Sequence, residues 1–496
     1  MQRVAGWLLT LPALLAAIVT LVVPTVRTIA MSFTDEAVLR PARPVGAENY
    51  TRLLGDERFW AAAGFTLALA ILPLLVVVVV APLLAAALDH GGPWPRRAGR
   101  VALSLWIVVC SPVAIAVAGV PLVTPGGGPL VTALYITAAL FGAVCGLALI
   151  AYLPASRSVG GMLVAGAVLA LATLATGLQA FGVVYPLAGR VPTLGVLHLR
   201  QAFSGFRLGY GAALATVTGL ILGVLGLVAV VVLVAARTRL MLLPRPAEAR
   251  GSRVPGVVAL VLVVVLAILG SLPWLSAAFL GGAAPLDPLR PDPAPLDTVR
   301  LHLYTWLPAL AGALVSVGVA YLAALGIGGL RPLGRHSEWL LLAFAPWLFV
   351  GVGPLSGALW LTYRELGLLD TLVALVDPLL VSVPALVVLT LLCRGLAERG
   401  GPFLATVVLP SLPMAAVLVG AVTLLNAQEP LWRLLVATRP EHWSAPVALL
   451  QLHSRGFGAD PPVGLTTPPL TVAVAFAALV AAQLTYLDRL RLTVGR

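Results

Sequence analysis

Apolar runs long enough to cross a membrane recur along the whole of this chain. A helical run of eighteen or more apolar residues spans a hydrocarbon core about 30 Å thick. The 496 residues are 60% hydrophobic and 10% charged, with a mean hydropathy of +1.04. A water-soluble domain could not bury so much apolar surface in one core. Because strict alternation of apolar and polar residues is absent, the sequence predicts an all-α polytopic membrane protein.

Twelve candidate spans can be delimited from hydropathy, at 5–30, 61–88, 101–123, 130–153, 160–187, 212–235, 254–280, 301–330, 339–363, 371–393, 403–427 and 470–487. A polar stretch rich in arginine and proline, ARTRLMLLPRPAEARGSRVPG, separates the sixth span from the seventh. We expect this stretch to be a cytosolic linker. The predicted organisation is a first half at 1–235, the linker at 236–253 and a second half at 254–496.

The two halves repeat the same order of features around their third spans. The first half reads LAAALDHGGPWPRRAGRVALSLWIVVCSPVAIAVAGVPL, and the second reads LAALGIGGLRPLGRHSEWLLLAFAPWLFVGVGPL. Each has a span end, a basic turn and an apolar run interrupted by proline. With six spans per half, both halves begin on the same side of the membrane. This predicts two parallel six-helix repeats, related by an axis along the membrane normal.

The net charge of +12 is explained by membrane orientation. If the N-terminus is cytosolic, arginines are in excess on the cytosolic side, and the outer side is nearly neutral, as the positive-inside rule requires. Both termini are then cytosolic. The distribution gives no reason to expect nucleic acid as a partner.

The chain contains no lysine, which excludes several enzymatic functions. A P-loop needs its lysine on the phosphates, and pyridoxal chemistry needs a Schiff-base lysine. Cys110, Cys145 and Cys393 lie in or beside apolar runs, without metal-ligand spacing, and the histidines are scattered. We therefore expect no metal site, no cofactor bound by this chain and no enzymatic activity of its own.

Several segments resemble a known family of membrane proteins. In the first half these are MSFTDEAVLRPARPVGAENYTRLLGDERFWAAAGFTLALA at 31–70 and LQAFGVVYPLAGRVPTLGVLHLRQAFSGFRLGYGAALA at 178–215. In the second half they are YRELGLLDTLVALVDPLLVSVPALVV at 363–388 and AQEPLWRLLVATRPEHWSAPVALLQL at 427–452. Their order and position resemble the permease subunits of binding-protein-dependent sugar ABC importers, of the maltose and glycerol-phosphate type.

The resemblance implies two permease subunits fused in one chain, with the type I importer fold. It implies transport of a sugar or related polar solute across a bacterial-type plasma membrane. Separate ABC ATPase subunits on the cytosolic side would bind ATP, and an extracytoplasmic binding protein would deliver the solute. Fusion would enforce equal stoichiometry of the two halves.

The resemblance also marks residues that could line the substrate pathway, at the exits of the fifth and eleventh spans: Gln179, Tyr185, Gln428, Glu429 and Trp432. Amides suit sugar hydroxyls, and an aromatic face suits a sugar ring. The alternative is that these side chains make ordinary interhelical hydrogen bonds and interfacial anchors. Inside the predicted spans only Arg27 and Asp377 are ionisable, fewer than an ion-coupled transporter would be expected to bury.

The cytosolic crossings depart from the family pattern. The family carries an E-A-A-x3-G motif on a helix that docks on the ATPase, followed by I-x-L-P. Here CRGLAERGGPFLATVVLPSLP keeps only the downstream part, Val407, Leu409 and Pro410, and about nine residues are too few for the docking helix and its connections. The first-half crossing YLPASRSVGGML lacks both parts. An alternative function is therefore a degenerate permease that acts as a scaffold or regulatory partner.

Overall fold

The computed structural model describes residues 2–36, 42–123, 128–187, 192–243, 253–280, 297–454 and 463–495. The helices before the predicted linker are α1 Gln2–Ala17, α2 Val23–Ser32, α3 Glu48–Gly55, α4 Glu57–Leu75, α5 Ala81–His90, α6 Pro93–Val109, α7 Pro112–Val123, α8 Pro129–Ala155, α9 Val159–Leu178, α10 Leu194–Leu199 and α11 Leu208–Ala235. Those after it are α12 Val254–Leu280, α13 Thr298–Ala324, α14 Val352–Glu365, α15 Val383–Ala397, α16 Leu409–Gln428, α17 Leu431–Val436, α18 Ala445–Ser454 and α19 Pro469–Thr485.

The chain is a multi-pass, predominantly helical membrane protein. Within the described residues, nine helices are long and apolar enough to cross a bilayer, and a bent pair would make a tenth. Several run on through a π-helical turn, as α1 continues through Ile18–Val22 into α2. Leu8, Leu15 and Val26 of the first of these helices point outward and are exposed. Such apolar surface requires a lipid environment.

Three of the twelve predicted spans are not continuous helices. In the third, α6 and α7 meet at an angle of 67°. The ninth combines a 3₁₀ segment, Gly334–Ala343, with α14, and the tenth is irregular until α15 begins at Val383. Prolines at 112, 346, 378 and 384 lie at these interruptions and remove backbone donors there. The fifth span also ends earlier than predicted, since α9 stops at Leu178.

Irregular backbone within the tenth predicted span is satisfied by polar groups of neighbouring helices. The amide of Ser382 donates to the carbonyl of Ser316 within α13 at 3.1 Å. The amide of Leu380 donates to the hydroxyl of Thr20 at 3.3 Å. Protein contacts of this kind replace the helical hydrogen bonds that lipid could not provide.

The first helix of each predicted half packs against the other half. α1 contacts α13 and its π-helical extension Leu325–Leu330, and α12 contacts α5 and α6. Small residues permit the close approach, as Gly256 of α12 meets Gly91 at the end of α5. The two predicted halves are therefore in direct contact through these helices.

The contact between α12 and α5 should be sensitive to a single methyl group. In Gly256→Ala, the added Cβ would lie 2.5 Å from the Cα of Gly91 and 3.2 Å from the carbonyl oxygen of Ala87, so it would meet backbone rather than a flexible side chain. We expect a loss of about 1–3 kcal/mol in the free energy of unfolding, followed by thermal unfolding in detergent. Gly318→Ala is the matched control, because no described atom lies within 4 Å of its Cβ. Equal melting temperatures for the two variants would contradict this packing.

A two-stranded antiparallel sheet joins the end of the first half to the C-terminal segment. Strand β1, Arg239–Leu242, pairs with β2, Leu490–Thr493, with Leu240 opposite Leu492. The sequence predicted only a linker from 236 onward, whereas 239–242 forms this strand; residues 244–252 lie outside the described residues. We call the sheet the clasp and its side of the molecule the clasp face. The opposite side, where α9 and α16 end, is the distal face.

Candidate functional site

The break between α6 and α7 is filled by a side chain from the other half. The hydroxyl of Ser111 donates to Oε1 of Gln428 at 2.8 Å, and Nε2 of Gln428 donates to the carbonyl of Thr466 at 3.1 Å. The Thr466 hydroxyl in turn donates to Ser111 at 2.9 Å. Gln428 is the last residue of α16. The side-chain amide of Gln428 thus connects α16 to the bend between α6 and α7.

The interruption before α14 is filled in the same way from the first half. Gln179 directly follows α9, and its Nε2 donates to the carbonyl of Phe349 at 2.6 Å. Its Oε1 accepts from the amide of Gly351 at 2.7 Å. These are backbone groups that no helix satisfies at this point of the chain. A glutamine amide, with one donor end and one acceptor end, suits them both.

The two glutamines form reciprocal contacts, which we call the glutamine latches. Each glutamine lies at the end of one helix and forms hydrogen bonds at an interrupted span in the other predicted half. Sequence reasoning selected both residues, but it gave no indication of their partners. The latches join the two predicted halves near the distal face.

Tyr185 lies apart from the latches, at the wall of an open cleft on the distal face. Its ring packs against Phe181, with 5.0 Å between ring centroids. The cleft has a volume of about 760 Å³. Its lining is polar and basic, comprising Arg58, Tyr185, Pro186, Arg200, Gln201, Ser204, Gly205, Arg207, Leu450, His453 and Ser454. Residues from both halves meet there, so the cleft opens between them.

Glu429 and Trp432 serve the start of the short helix α17. The Glu429 carboxylate accepts from the amides of Leu431 at 2.9 Å and Trp432 at 3.2 Å, which caps the helix N-terminus. The Trp432 indole donates to the carbonyl of Ala374 at 2.8 Å and packs edge-on against Tyr363. Both side chains make structural contacts, and neither lines the cleft.

Arg433 is a buried charge that the sequence reading did not select as a site. It is 3% exposed and donates to the carbonyls of Ala427 at 3.2 Å and Thr305 at 3.1 Å. It interacts electrostatically with Glu429 and Asp377, although no ion pair within 4 Å joins them among the described residues. The sequence signal that could have indicated this buried charge was an arginine between two apolar pairs, LW before it and LL after it. It holds α17 against α13.

Asp370, in the LGLLDT segment, anchors a loop on the distal face. Its carboxylate accepts from the amide of Thr438 at 2.7 Å and from the amide of Arg439 at 3.1 Å. Its φ of 59° is left-handed, a conformation that Asp tolerates better than most residues. Burial alone would raise the pKa of this carboxyl, but the hydrogen bonds from Thr438 and Arg439 outweigh it and lower the pKa.

Val407, Leu409 and Pro410, which the resemblance assigned to a residual coupling loop, lie at the start of the eleventh predicted span. Val407 is buried, whereas Leu409 is exposed on the helix surface. The carbonyl of Pro410 accepts from the hydroxyl of Tyr486 at 2.7 Å. The crossing before it turns tightly at Gly400 and Gly401, both with left-handed φ. The shortened crossing that the sequence predicts is thus a glycine turn.

The clasp lies against both shortened crossings. At the second crossing, a Cβ on Gly395 would stand 2.1 Å from the carbonyl oxygen of Leu240, so only glycine allows β1 to approach. Arg399 donates to the carbonyl of Leu242 there. At the first crossing, Gly161 lies beside Leu492 of β2. Each strand therefore covers one crossing.

No family model matches this chain, and no curated protein matches it. What the chain does must therefore be inferred from the latches, the cleft and the clasp.

Proposed function

We propose that this chain is the membrane permease of an ABC-type importer for a sugar or related polar solute, powered by separate ATPase subunits. An extracytoplasmic solute-binding protein would supply the solute at the distal face. The observation that carries the proposal is the pair of glutamine latches. Broken helices at the interface of two halves are where transporters place their substrate pathway, because free backbone groups there can bind polar solutes.

The proposed architecture is twelve membrane-spanning segments in two parallel repeats, and the clasp face and both termini are on the cytosolic side. It is supported by the reciprocal packing of α1 and α12 on the opposite halves. It is also supported by the interruption of the third predicted span in each half, at Ser111 in the first half and at Phe349 in the second. Two features that recur at matching places favour an internal repeat.

In this proposal the described conformation has the pathway closed at the latches. Passage of solute requires Gln179 and Gln428 to leave their partners, and the hydroxyl groups of a sugar can take over those hydrogen bonds. A solute that satisfies the amides favours the open state by its differential affinity. The cleft beside Tyr185 would be the vestibule from which it enters.

The direct test is to purify the chain in mild detergent, identify co-purifying subunits and measure ATP hydrolysis in nanodiscs. We expect an ATPase to co-purify and its turnover to rise when the cognate binding protein and solute are added. If no ATPase is retained at any ionic strength, the permease proposal fails.

The clasp favours a second candidate function, a permease-derived scaffold or regulatory partner that no longer couples to an ATPase. β1 and β2 lie against the two crossings where the resemblance would place the ATPase contacts. Coupling needs a physical contact that can take two arrangements, and a permanently closed clasp would not provide one.

A disulfide across the clasp separates the two candidates. Leu240 and Leu492 are directly opposed, so Leu240→Cys with Leu492→Cys should cross-link on oxidation. If the clasp opens during transport, we expect oxidation to abolish solute-stimulated ATPase activity and reduction to restore it. The single-cysteine variants are the controls for oxidation of Cys110, Cys145 and Cys393. Full stimulation with the clasp locked would show that the ATPase docks elsewhere.

A further inference from the structure

A charged cluster lies on the clasp face around the first turns of α6. We call it the arginine cluster; its members are Arg96, Arg97, Arg100, Arg157, Asp89 and Asp488. Asp488 lies 2.9 Å from Arg96 and 2.9 Å from Arg97. Asp89 lies 3.0 Å from Arg96 and 3.2 Å from Arg157. The cluster joins the start of α6 to the end of α5, the crossing after α8 and the segment after α19.

Positive charge exceeds negative charge in this cluster by two. The side chains of Arg96, Arg100 and Asp488 are 5%, 4% and 0% exposed. Arg100 lies 3.9 Å from Asp488, beyond hydrogen-bond distance, and its Nη1 donates one long hydrogen bond to the carbonyl of Gln483 at 3.5 Å. The Nε atoms of Arg96 and Arg100 are buried without an acceptor among the described residues. A buried cation that lacks a full set of acceptors is costly. An additional anion would relieve that cost.

Two helix N-termini strengthen the positive potential at the same place. α6 begins at Pro93, and α9 begins at Val159, two residues after Arg157 and directly after its N-cap Ser158. A helix N-terminus carries a partial positive charge and normally has acidic residues nearby. The first turn of α6 contains no acidic residue of its own and ends with Arg96, so the nearby Asp89 and Asp488 are shared among four arginines. The field at this site therefore favours an incoming anion.

The rim of the cluster is partly exposed. Arg97 is 43% exposed, Arg157 is 15% exposed, and the neighbouring Trp94 is 66% exposed. Tryptophan is typical of the membrane–water interface, and basic pockets between helices on the cytosolic side bind phosphate-bearing headgroups. We propose that the arginine cluster binds the phosphate group of an anionic molecule, which enters past Arg97 and Arg157.

Phosphate oxygens accept charge-assisted hydrogen bonds from arginine, and they would neutralise the excess charge. An anionic phospholipid in the adjacent leaflet and free phosphate offer the same chemistry. This inference does not depend on solute transport, since it requires only that the apolar helices lie in a bilayer.

The test compares phosphate sources on the delipidated full chain in neutral detergent. Thermal unfolding is followed while phosphatidylglycerol, phosphatidylcholine or inorganic phosphate is added at constant ionic strength. We expect phosphatidylglycerol to raise the melting temperature of the wild type and phosphatidylcholine to leave it unchanged. In Arg97→Gln with Arg157→Gln, half-saturation should need about tenfold more phosphatidylglycerol or greater, because two charge-assisted contacts are lost. Arg335→Gln, an exposed position in the 3₁₀ segment Gly334–Ala343, should respond as the wild type does.

Each outcome of the titration is informative. A response to phosphatidylglycerol alone assigns the site to a lipid headgroup, and an equal response to inorganic phosphate assigns it to free phosphate. An identical response of wild type and double variant, or no response to either source, overturns the proposal. Native mass spectrometry of the variants counts the retained phosphatidylglycerol and so separates lost binding from lost folding.

Discussion

Asp488→Asn should lower the free energy of unfolding by about 3–5 kcal/mol, among the largest effects of any single substitution in this chain. The Asp488 side chain is fully buried and lies 2.9 Å from both Arg96 and Arg97. An amide keeps the shape but removes the negative charge, so at least one buried guanidinium loses its neutralising partner. Thermal unfolding in detergent, followed by circular dichroism, measures the loss.

Asp35→Asn is the matched control for this substitution, because Asp35 is an exposed residue on the distal face. Exposed substitutions usually change stability by less than about 0.5 kcal/mol. A similar small change in Asp488→Asn would show that solvent reaches the arginine cluster freely. That result would also remove the reason for an anion to bind there.

Replacing either latch glutamine by leucine should both destabilise the protein and abolish solute uptake. In Gln179→Leu, the carbonyl of Phe349 and the amide of Gly351 lose their partners. In Gln428→Leu, the hydroxyl of Ser111 loses its acceptor and the carbonyl of Thr466 loses its donor. Each polar group left unsatisfied costs roughly 1–3 kcal/mol. Uptake should fail because the solute loses the amides that we propose it meets in the pathway.

Gln201→Leu is the control, since Gln201 lines the open cleft rather than a break. We expect its melting temperature to remain close to that of the wild type. A latch variant with wild-type stability would show that water or other groups satisfy the polar groups at the interrupted spans. A destabilised latch variant with full uptake would instead leave the latches as structural contacts and send the search for the pathway elsewhere.

Candidate site residues could be selected from sequence, but their roles could not. Gln179 and Gln428 were chosen for their place at span exits, and both prove to bridge the halves. Glu429 was chosen on the same grounds, yet its carboxylate caps α17. All three are polar residues just beyond an apolar run, so the local pattern is the same. Only the partner, which lies 2 to more than 300 positions away along the chain, distinguishes a bridge from a cap.

The sequence alone determined that this protein is mainly helical and crosses a membrane several times. Its apolar runs are long enough to span a bilayer, and a helix satisfies all of its own backbone hydrogen bonds, which lipid cannot do. It also determined that the crossings after α8 and α15 are short, since chain length limits what a loop can contain. Only the tertiary structure decided which predicted membrane spans are interrupted and which helix packs on which half. It also decided that β1 and β2 lie against the two short loops that follow α8 and α15. Those features depend on contacts between residues far apart in the chain, and hydropathy, which reports each segment separately, does not encode them.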